Sequence, residues 1–136
     1  FLASKYPSAE IFAIDILEME KIRGVKFIQE DLRKIDQIQQ LSGLKNKFNL
    51  VISDLAPNLS GISSIDEENI FELNLLTLKG AKTFLDSKGV FIVKTFQNSN
   101  LKKFRKEMEK NLKIVQTAKP AASKKQSKEI YLYGIN

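Results

Sequence analysis

The sequence predicts an α/β domain, a three-layer sandwich built on a largely parallel sheet. Apolar segments of strand length alternate along the chain with segments whose apolar residues recur at helical spacing, which is typical of a parallel sheet covered by helices. The last two predicted strands have no helix between them, so we expect a hairpin that makes the final strand antiparallel. With 136 residues, 43% of them hydrophobic, the chain suffices for one domain with a real core.

Composition excludes several kinds of chemistry. The chain has no cysteine and no histidine, which excludes disulfides and thiolate catalysis and removes the commonest general base and metal ligand, so we expect no metal site. No apolar run is long enough for a membrane span, and we expect no membrane partner. The net charge of +6 and the pI near 9.5 suit a polyanionic partner such as RNA.

The first third of the chain is predicted to hold two strands and a helix. The chain begins with what resembles the end of a helix stopped near Pro7, so we expect a fragment of a longer domain. Residues 10–17 and 25–31 are strand-like apolar runs that carry Asp15 and Asp31 near their ends. Residues 32–41 have apolar residues at helical spacing and are predicted to form a helix.

The rest of the chain continues the alternation. Ser64 and Glu67 are spaced as a capping box for a helix that ends before Gly89. Later, apolar residues at helical spacing predict a helix over 101–112, one side of which is crowded with lysines. The predicted strands of this part are residues 49–54, 90–96, 113–117 and 129–135.

The segment FNLVISDLAPNLSG, residues 48–61, contains the first candidate for chemistry. A buried strand ends there on Asp54, and Pro57 stops any regular continuation because proline has no amide donor. Ligands of open α/β sheets bind at the carboxyl ends of strands. A solvated aspartate at an ordinary strand end is the alternative interpretation.

Three carboxylates, Asp15, Asp31 and Asp54, close three successive predicted strands. If the strands are parallel, all three lie at one edge of the sheet, where they can accept hydrogen bonds from the hydroxyls and amine of a nucleoside. The sequence therefore indicates a nucleoside-bearing cofactor, although Asp15 or Asp31 taken singly could be an ordinary strand terminus.

Lys94 is a charged residue within the apolar run 90–96. Desolvation disfavours its charged form, a neighbouring Asp54 or Glu129 favours it, and the balance can prepare a lysine to act as a base. A lysine that is ion-paired for stability alone remains the alternative.

The motifs AIDIL, ISDLAPNLSG, FIVKTFQ and SKEIYLY together resemble the FtsJ-type family, also called RrmJ, of S-adenosylmethionine-dependent RNA ribose 2′-O-methyltransferases. The resemblance implies a Rossmann-like class I methyltransferase sheet and a Lys-Asp-Lys-Glu tetrad, whose last three members fall on Asp54, Lys94 and Glu129. It also implies S-adenosylmethionine contacts from Asp15 to the ribose, from Asp31 near the adenine and from Asp54 near the methionine end.

Two elements of the family pattern are not found in these 136 residues, namely the glycine-rich cofactor loop and the first tetrad lysine. We therefore expect a partial catalytic domain over 1–136 that is inactive by itself. In the family a strand carrying that loop lies between the counterparts of 11–16 and 50–54, so these two strands are expected ~9.6 Å apart, in place of the ~4.8 Å of a paired ladder.

The expected partner is RNA, most simply large-subunit ribosomal RNA or the ribosomal particle, bound by a monomer in the cytoplasm, with a mitochondrial location as the alternative. The lysines expected to contact RNA phosphates are Lys102, Lys103, Lys106, Lys124, Lys125 and Lys128. A tRNA methyltransferase of the same family, a non-catalytic RNA-binding fragment and a nucleotide-cofactor oxidoreductase are the alternatives. An oxidoreductase would give no role to Lys94. A non-catalytic RNA-binding fragment would leave Asp15, Asp31 and Asp54 unexplained.

Overall fold

The computed structural model describes residues 1–118 and 128–136. They divide into two compact units, Phe1–Ser42 and Gly43–Asn136, and each unit contains its own sheet. The predicted α/β class is confirmed. No helix in the described ranges has both the length and the apolar character that a membrane crossing requires.

The first unit contains a short helix and a two-stranded parallel sheet. Helix α1 is Leu2–Lys5, strand β1 is Ile11–Asp15 and strand β2 is Val25–Gln29. Both strands are shorter than predicted. The Asp15 carboxylate accepts a hydrogen bond from the Leu17 amide at 2.9 Å, and this turn takes the chain out of the ladder directly after Asp15.

The α-helix predicted over 32–41 is wrong in type. The structure has two 3₁₀ segments instead, Leu32–Gln37 and Gln39–Leu41. The apolar residues here recur strictly every third position, and Ile35, Ile38 and Leu41 are all buried. A strict spacing of three matches the 3.0 residues per turn of a 3₁₀-helix, in which side chains three apart stack on one side.

The second unit is a four-stranded mixed sheet in the order β3-β4-β6-β5. Strands β3 and β4 are parallel, and β6 is antiparallel to both of its neighbours, which confirms the predicted hairpin and antiparallel final strand. The elements are β3 Phe48–Ser53, α2 Ser63–Phe84, β4 Leu85–Phe96, α3 Leu101–Asn111, β5 Ile114–Ala118 and β6 Glu129–Ile135.

One face of this sheet packs against α2 and α3. Burial alternates along β4, so that Phe91, Val93 and Thr95 are buried while Ile92 and Lys94 are half-buried on the opposite face. Residues contributed to the core by the helices include Phe71, Leu78, Ala81, Phe104 and Met108; Phe84 at the end of α2 is buried as well. Lys94 therefore lies on the sheet face away from these two helices.

Strand β4 is longer than the predicted 90–96 because it begins at Leu85, directly where α2 ends. Leu85 is fully buried and pairs with Phe48 of β3. The ladder shifts register before Val90, and a Cβ at Gly89 would lie 2.9 Å from the Phe48 carbonyl oxygen. Because the two backbones approach so closely, a residue with a Cβ would not fit at this position, and the strand has a glycine there.

The ladders of the described residues pair β1 with β2 and β3 with β4. The expected separation of β1 from β3 remains a prediction.

Candidate active site

Strands β3, β4 and β6 bring three of the predicted site residues together at one end of the second unit's sheet. Asp54 follows the last residue of β3, Lys94 lies near the end of β4, and Glu129 begins β6. Because β6 runs antiparallel to β4, its first residue, Glu129, pairs with Phe96 at the carboxyl end of β4. A site at the carboxyl ends of parallel strands thus receives its third residue from the start of an antiparallel one.

Lys94 is the centre of this cluster. Its ammonium group contacts the Asp54 carboxylate, and Nζ lies 3.6 Å from Glu129 Oε1. The Lys94 side chain is only 16% exposed, whereas that of Asp54 is 71% exposed and that of Glu129 is 44% exposed. The lysine is therefore held against the sheet while both acids reach solvent.

The electrostatic balance at Lys94 favours the charged form. The hydrogen bond to Asp54 is the largest influence and raises the pKa of Lys94 above its ordinary value, burial opposes this, and Glu129 adds to it. In the described state Lys94 is thus an ammonium group that donates hydrogen bonds.

The loop that leaves Asp54 is closed by Asp66 of α2. The Asp66 carboxylate accepts hydrogen bonds from the Ser60 amide at 2.7 Å, the Ser60 hydroxyl at 2.8 Å and the Gly61 amide at 3.1 Å. These bonds, with that from the Ser60 amide foremost, lower the pKa of Asp66. Gly61 has φ +83°, a conformation that favours glycine. The loop after Asp54 is therefore fixed at its far end.

The capping box predicted from Ser64 and Glu67 is not the arrangement found. Helix α2 begins at Ser63, and Glu67 accepts hydrogen bonds from the Ser99 amide at 3.3 Å, from the Ser99 hydroxyl and from the Ser63 hydroxyl. Its pKa is lowered, mainly by the Ser99 hydroxyl. Glu67 thus ties the segment between β4 and α3 to the start of α2. The sequence analysis missed Asp66; its one sequence signal is the Ser60-Gly61 pair, a turn-forming pair that lies six and five residues before it.

The first unit holds the other two predicted acids, Asp15 and Asp31. Asp15 ends β1 and pairs in register with Gln29, the last residue of β2, and its carbonyl accepts from the Glu30 amide at 3.0 Å. Asp31 lies two residues beyond β2. Asp15 and Asp31 thus both lie at the carboxyl ends of their strands, as predicted. Because β1 and β2 are parallel, these two ends are at the same edge of the two-stranded sheet.

Asp31 is bound by its own neighbour, which the sequence reasoning missed. Arg33 donates from Nε at 2.9 Å and from Nη2 at 2.5 Å to Asp31 Oδ2, and its backbone amide donates to Oδ1 at 2.9 Å. The guanidinium hydrogen bonds are the largest influence and lower the pKa of Asp31 to about 2. Asp31 is therefore an ionised acceptor held in one orientation.

Of the six predicted RNA-contacting lysines, Lys124 and Lys125 lie outside the described residues. Lys102, Lys103 and Lys106 occupy the first two turns of α3 and are exposed, as is Lys128 beside β6. Lys103 Nζ lies 4.2 Å from the centre of the Phe71 ring, so part of its interaction is with the core. Because α3 follows the carboxyl end of β4, its first turns lie at the same end of the sheet as Lys94.

Comparison with known proteins gives curated relatives named ribosomal RNA large subunit methyltransferase E. That of Dechloromonas aromatica is 42% identical over 126 residues, which cover 91% of this chain and 62% of the relative. That of Neisseria meningitidis is 44% identical over 131 residues, which cover 95% of this chain and 64% of the relative. The chain thus spans somewhat less than two thirds of the length of these relatives.

Solved structures share the fold. A protein of Plasmodium falciparum assigned as a ribosomal RNA methyltransferase superimposes with a TM-score of 0.83 at 24% identity, covering 99% of this chain and 77% of that one. A protein of Streptococcus mutans assigned as a methyltransferase, solved in complex with S-adenosylhomocysteine, gives a TM-score of 0.56 at 14% identity, covering 93% of this chain and 70% of that one. These likenesses confirm the Rossmann-like methyltransferase fold.

The family model described as FtsJ-like methyltransferase matches residues 1–136. Together with the identities above, this match confirms the predicted resemblance: the chain belongs to the FtsJ-like methyltransferase family.

Proposed function

We propose that the whole protein is an S-adenosylmethionine-dependent methyltransferase that modifies a ribose 2′-hydroxyl of large-subunit ribosomal RNA. The relatives' names support ribosomal RNA over the tRNA alternative. The observation that carries the chemistry is the contact between the Lys94 ammonium group and Asp54, with Glu129 alongside, at the carboxyl ends of β3 and β4.

The chemistry of the acids suits S-adenosylmethionine. Asp15 has one carboxylate oxygen on the Leu17 amide, which leaves acceptor positions for ribose hydroxyls. Asp31, kept ionised by Arg33, can accept from an exocyclic amine. Asp54 is proposed to lie near the methionine end. The cofactor supplies, when bound, a methyl group on a positively charged sulfonium.

Lys94 is proposed as the base. A ribose hydroxyl is a poor nucleophile near neutral pH, and a positioned base is worth ~10²–10⁴ in rate. When bound, the cofactor would supply the methyl group to the 2′-oxygen; its carbon–sulfur bond would break to leave a neutral thioether, while the hydroxyl proton would pass to Lys94 Nζ. For this Lys94 must first lose its ammonium proton, since a charged ammonium group cannot accept another.

The raised pKa of Lys94 is compatible with a base only if the pKa falls in the reacting complex. Without the cofactor, the hydrogen bond to Asp54 keeps the proton on the Lys94 ammonium group. A second positive charge beside Nζ disfavours the ammonium form, so a bound cationic cofactor would favour loss of that proton to solvent. Asp54 then orients the neutral amine, and Glu129 orients either Lys94 or the ribose hydroxyl. Asp54 thereby keeps Lys94 charged until the site is filled.

Substitution of Lys94 tests this assignment. In the whole protein, Lys94→Ala is expected to lower kcat by at least ~10²-fold, while S-adenosylmethionine binds at least as tightly as to the wild type because the ammonium group that opposes its positive charge is gone. Lys94→Arg keeps the charge and a partner for Asp54 but cannot be deprotonated, so it should be as inactive as Lys94→Ala. The measurement is methyl transfer to ribosomal subunits under single-turnover conditions.

A matched control is Lys88→Ala, which removes an exposed lysine from the opposite end of the same strand and should leave kcat unchanged. If Lys94→Arg retained turnover, Lys94 would act as a cation that positions the ribose, and the base role would be wrong. Parallel assays with tRNA, in which we expect no methylation, would decide between the two RNA substrates.

We further propose that the protein acts as a monomer in the cytoplasm, where the ribosomes of its bacterial relatives reside. Sedimentation of the whole protein with and without ribosomal subunits would reveal a dimer if one formed.

A further inference from the structure

A buried polar cluster lies beneath the candidate site. Asn74 Nδ2 of α2 donates to Thr95 Oγ1 of β4 at 2.7 Å, and Thr77 Oγ1 donates to the Asn74 carbonyl at 2.9 Å. Thr95 is 2% exposed and Asn74 is 4% exposed. Among the described residues, Ser53 is the one other buried polar residue. The other buried side chains of α2, such as those of Phe71, Leu78 and Phe84, are apolar.

The position of this hydrogen bond relates it to the candidate catalytic residues. Thr95 directly follows Lys94, and the two side chains point to opposite faces of β4 because burial alternates along the strand. Asn74 lies in α2, and α2 follows the loop that begins at Asp54 and is closed by Asp66. The bond therefore links the strand that carries Lys94 to the helix whose loop carries Asp54.

We propose that Asn74 and Thr95 are positioning residues, which fix α2 against β4 in the one register that places Asp54 on the Lys94 ammonium group. The pair touches neither reactant and acts through the backbone on the other face of the sheet. This inference rests on the proposed function in so far as Lys94 and Asp54 take part in the reaction.

The physical reason lies in the difference between apolar packing and a buried hydrogen bond. Apolar contacts are non-directional, so a helix held only by them can shift slightly on a sheet at little cost. A buried hydrogen bond has a narrow range of distance and angle, and a shift that breaks it leaves two polar groups without partners in the core. The Asn74–Thr95 bond thus penalises displaced registers, as buried polar pairs do in other helical interfaces.

Three variants of the whole protein separate positioning from stability. Thr95→Val has nearly the shape of threonine but removes the acceptor, and it leaves the Asn74 amide buried without its partner. The double variant Asn74→Leu/Thr95→Val replaces the whole pair with apolar groups and is expected to recover most of the stability that Thr95→Val loses. Thr95→Ser retains the hydroxyl and serves as the conservative control.

Two quantities are measured besides the unfolding midpoint: kcat for methyl transfer, and the pKa of Lys94 followed by NMR of its labelled side-chain nitrogen. In the double variant kcat should fall at least about tenfold although the midpoint returns near that of the wild type. The Lys94 pKa should fall towards its ordinary value, since the contact with Asp54 is loosened. Thr95→Ser should resemble the wild type in both.

The inference is overturned if the stable double variant keeps the wild-type Lys94 pKa, whatever happens to kcat, because the pair then does not set the Asp54 contact. It is also overturned if the pKa falls while the kcat of an active enzyme stays unchanged. If the wild type transfers no methyl group but the Lys94 pKa still falls in the double variant, the proposed function fails and the positioning of Lys94 by the pair stands.

Discussion

Three acids of the two units are distinguished by what already binds them. Asp54 holds a lysine ammonium group, Asp66 holds two backbone amides and a hydroxyl, and Asp31 holds a guanidinium. For Asp31 and Asp66 these partners lower the pKa and so keep the carboxylate ionised, and an ionised carboxylate only accepts hydrogen bonds. A ligand group that binds one of these ionised carboxylates must therefore be a hydrogen-bond donor, such as a hydroxyl or an amine.

Arg33 provides a prediction at this scale. The Asp31 carboxyl should titrate with a pKa of about 2, and in Arg33→Gln the pKa should rise towards the ordinary 3.8. It should not return fully, since the backbone amide of residue 33 still donates. Because the folded pKa lies below the ordinary value, the pairing stabilises the fold above pH 3.8 and its contribution is lost as pH falls towards about 2.

The measurement is a carbon NMR titration of the labelled carboxyl groups between pH 7 and the acid limit of the fold. Lys34→Gln is the matched control, since Lys34 lies 3.6 Å from Glu30 and affects Asp31 only weakly. An Asp31 pKa that did not move in Arg33→Gln would contradict the assigned interaction.

At the scale of elements, α3 is a helix with two different faces. Phe104 and Met108 are buried in the core while Lys102 and Lys106 are exposed. Arg105 is engaged by Glu109, the Thr117 hydroxyl and the Val115 carbonyl, so it stabilises the packing of α3 on β5. The lysines of the first turns remain the group suited to RNA phosphates.

Charge reversal tests the RNA surface. Lys102→Glu/Lys106→Glu should weaken RNA binding about equally for all sequences, because phosphate contacts do not read bases. The slope of log affinity against log salt should decrease by roughly 0.7–0.9 for each phosphate that the variant no longer neutralises. Binding is measured by filter retention or anisotropy over a series of salt concentrations.

The control variant is Lys47→Glu/Lys88→Glu. It makes the same change in net charge at the amino ends of β3 and β4, away from the end of the sheet that carries Lys94. The salt slope of its RNA binding should therefore stay close to that of the wild type. Equal slopes in the two double variants would refute a surface on α3.

Sequence periodicity predicted the elements better than their ends. Strand Glu129–Ile135 was predicted from its alternation, and Asp54 was predicted at a strand end because Pro57 follows it. Asp15 was predicted near the end of a strand over 10–17, but the strand stops at Asp15 itself. The 3₁₀ segments were mistaken for an α-helix because a few apolar residues spaced by three fit either period. Interactions such as Asp31–Arg33 and Asn74–Thr95 were missed, since they depend on side-chain orientation and, for the second pair, on the register between elements that are distant in sequence.

At the scale of the molecule, the second unit has an open apolar edge. Leu50 is 39% exposed and Ile52 is 49% exposed on β3, and in the described part of the chain β3 has a ladder with β4 alone. An exposed apolar edge strand can pair with the same strand of another molecule. The 136-residue chain by itself should therefore associate at high concentration.

Ile52→Lys is expected to suppress this association, because a lysine on an edge strand opposes pairing between chains. Light scattering of the isolated chain over a concentration series measures the effect. The control is Ile114→Lys, which replaces a similarly exposed isoleucine, 48% exposed, on the opposite edge strand β5. If both variants associated like the wild type, β3 would not be the contact.

The position of β6 between β4 and β5 has a consequence for the order of events during synthesis. β6 is the last of the described strands to be made, yet it lies inside the sheet, where Val90 pairs with Ile135. Until β6 has left the ribosome, neither β4 nor β5 can pair with it, so two of the three strand pairings of this sheet cannot form. Glu129 is synthesised with β6, after α2 and α3, so the Lys94 cluster is completed only after both helices have had time to form.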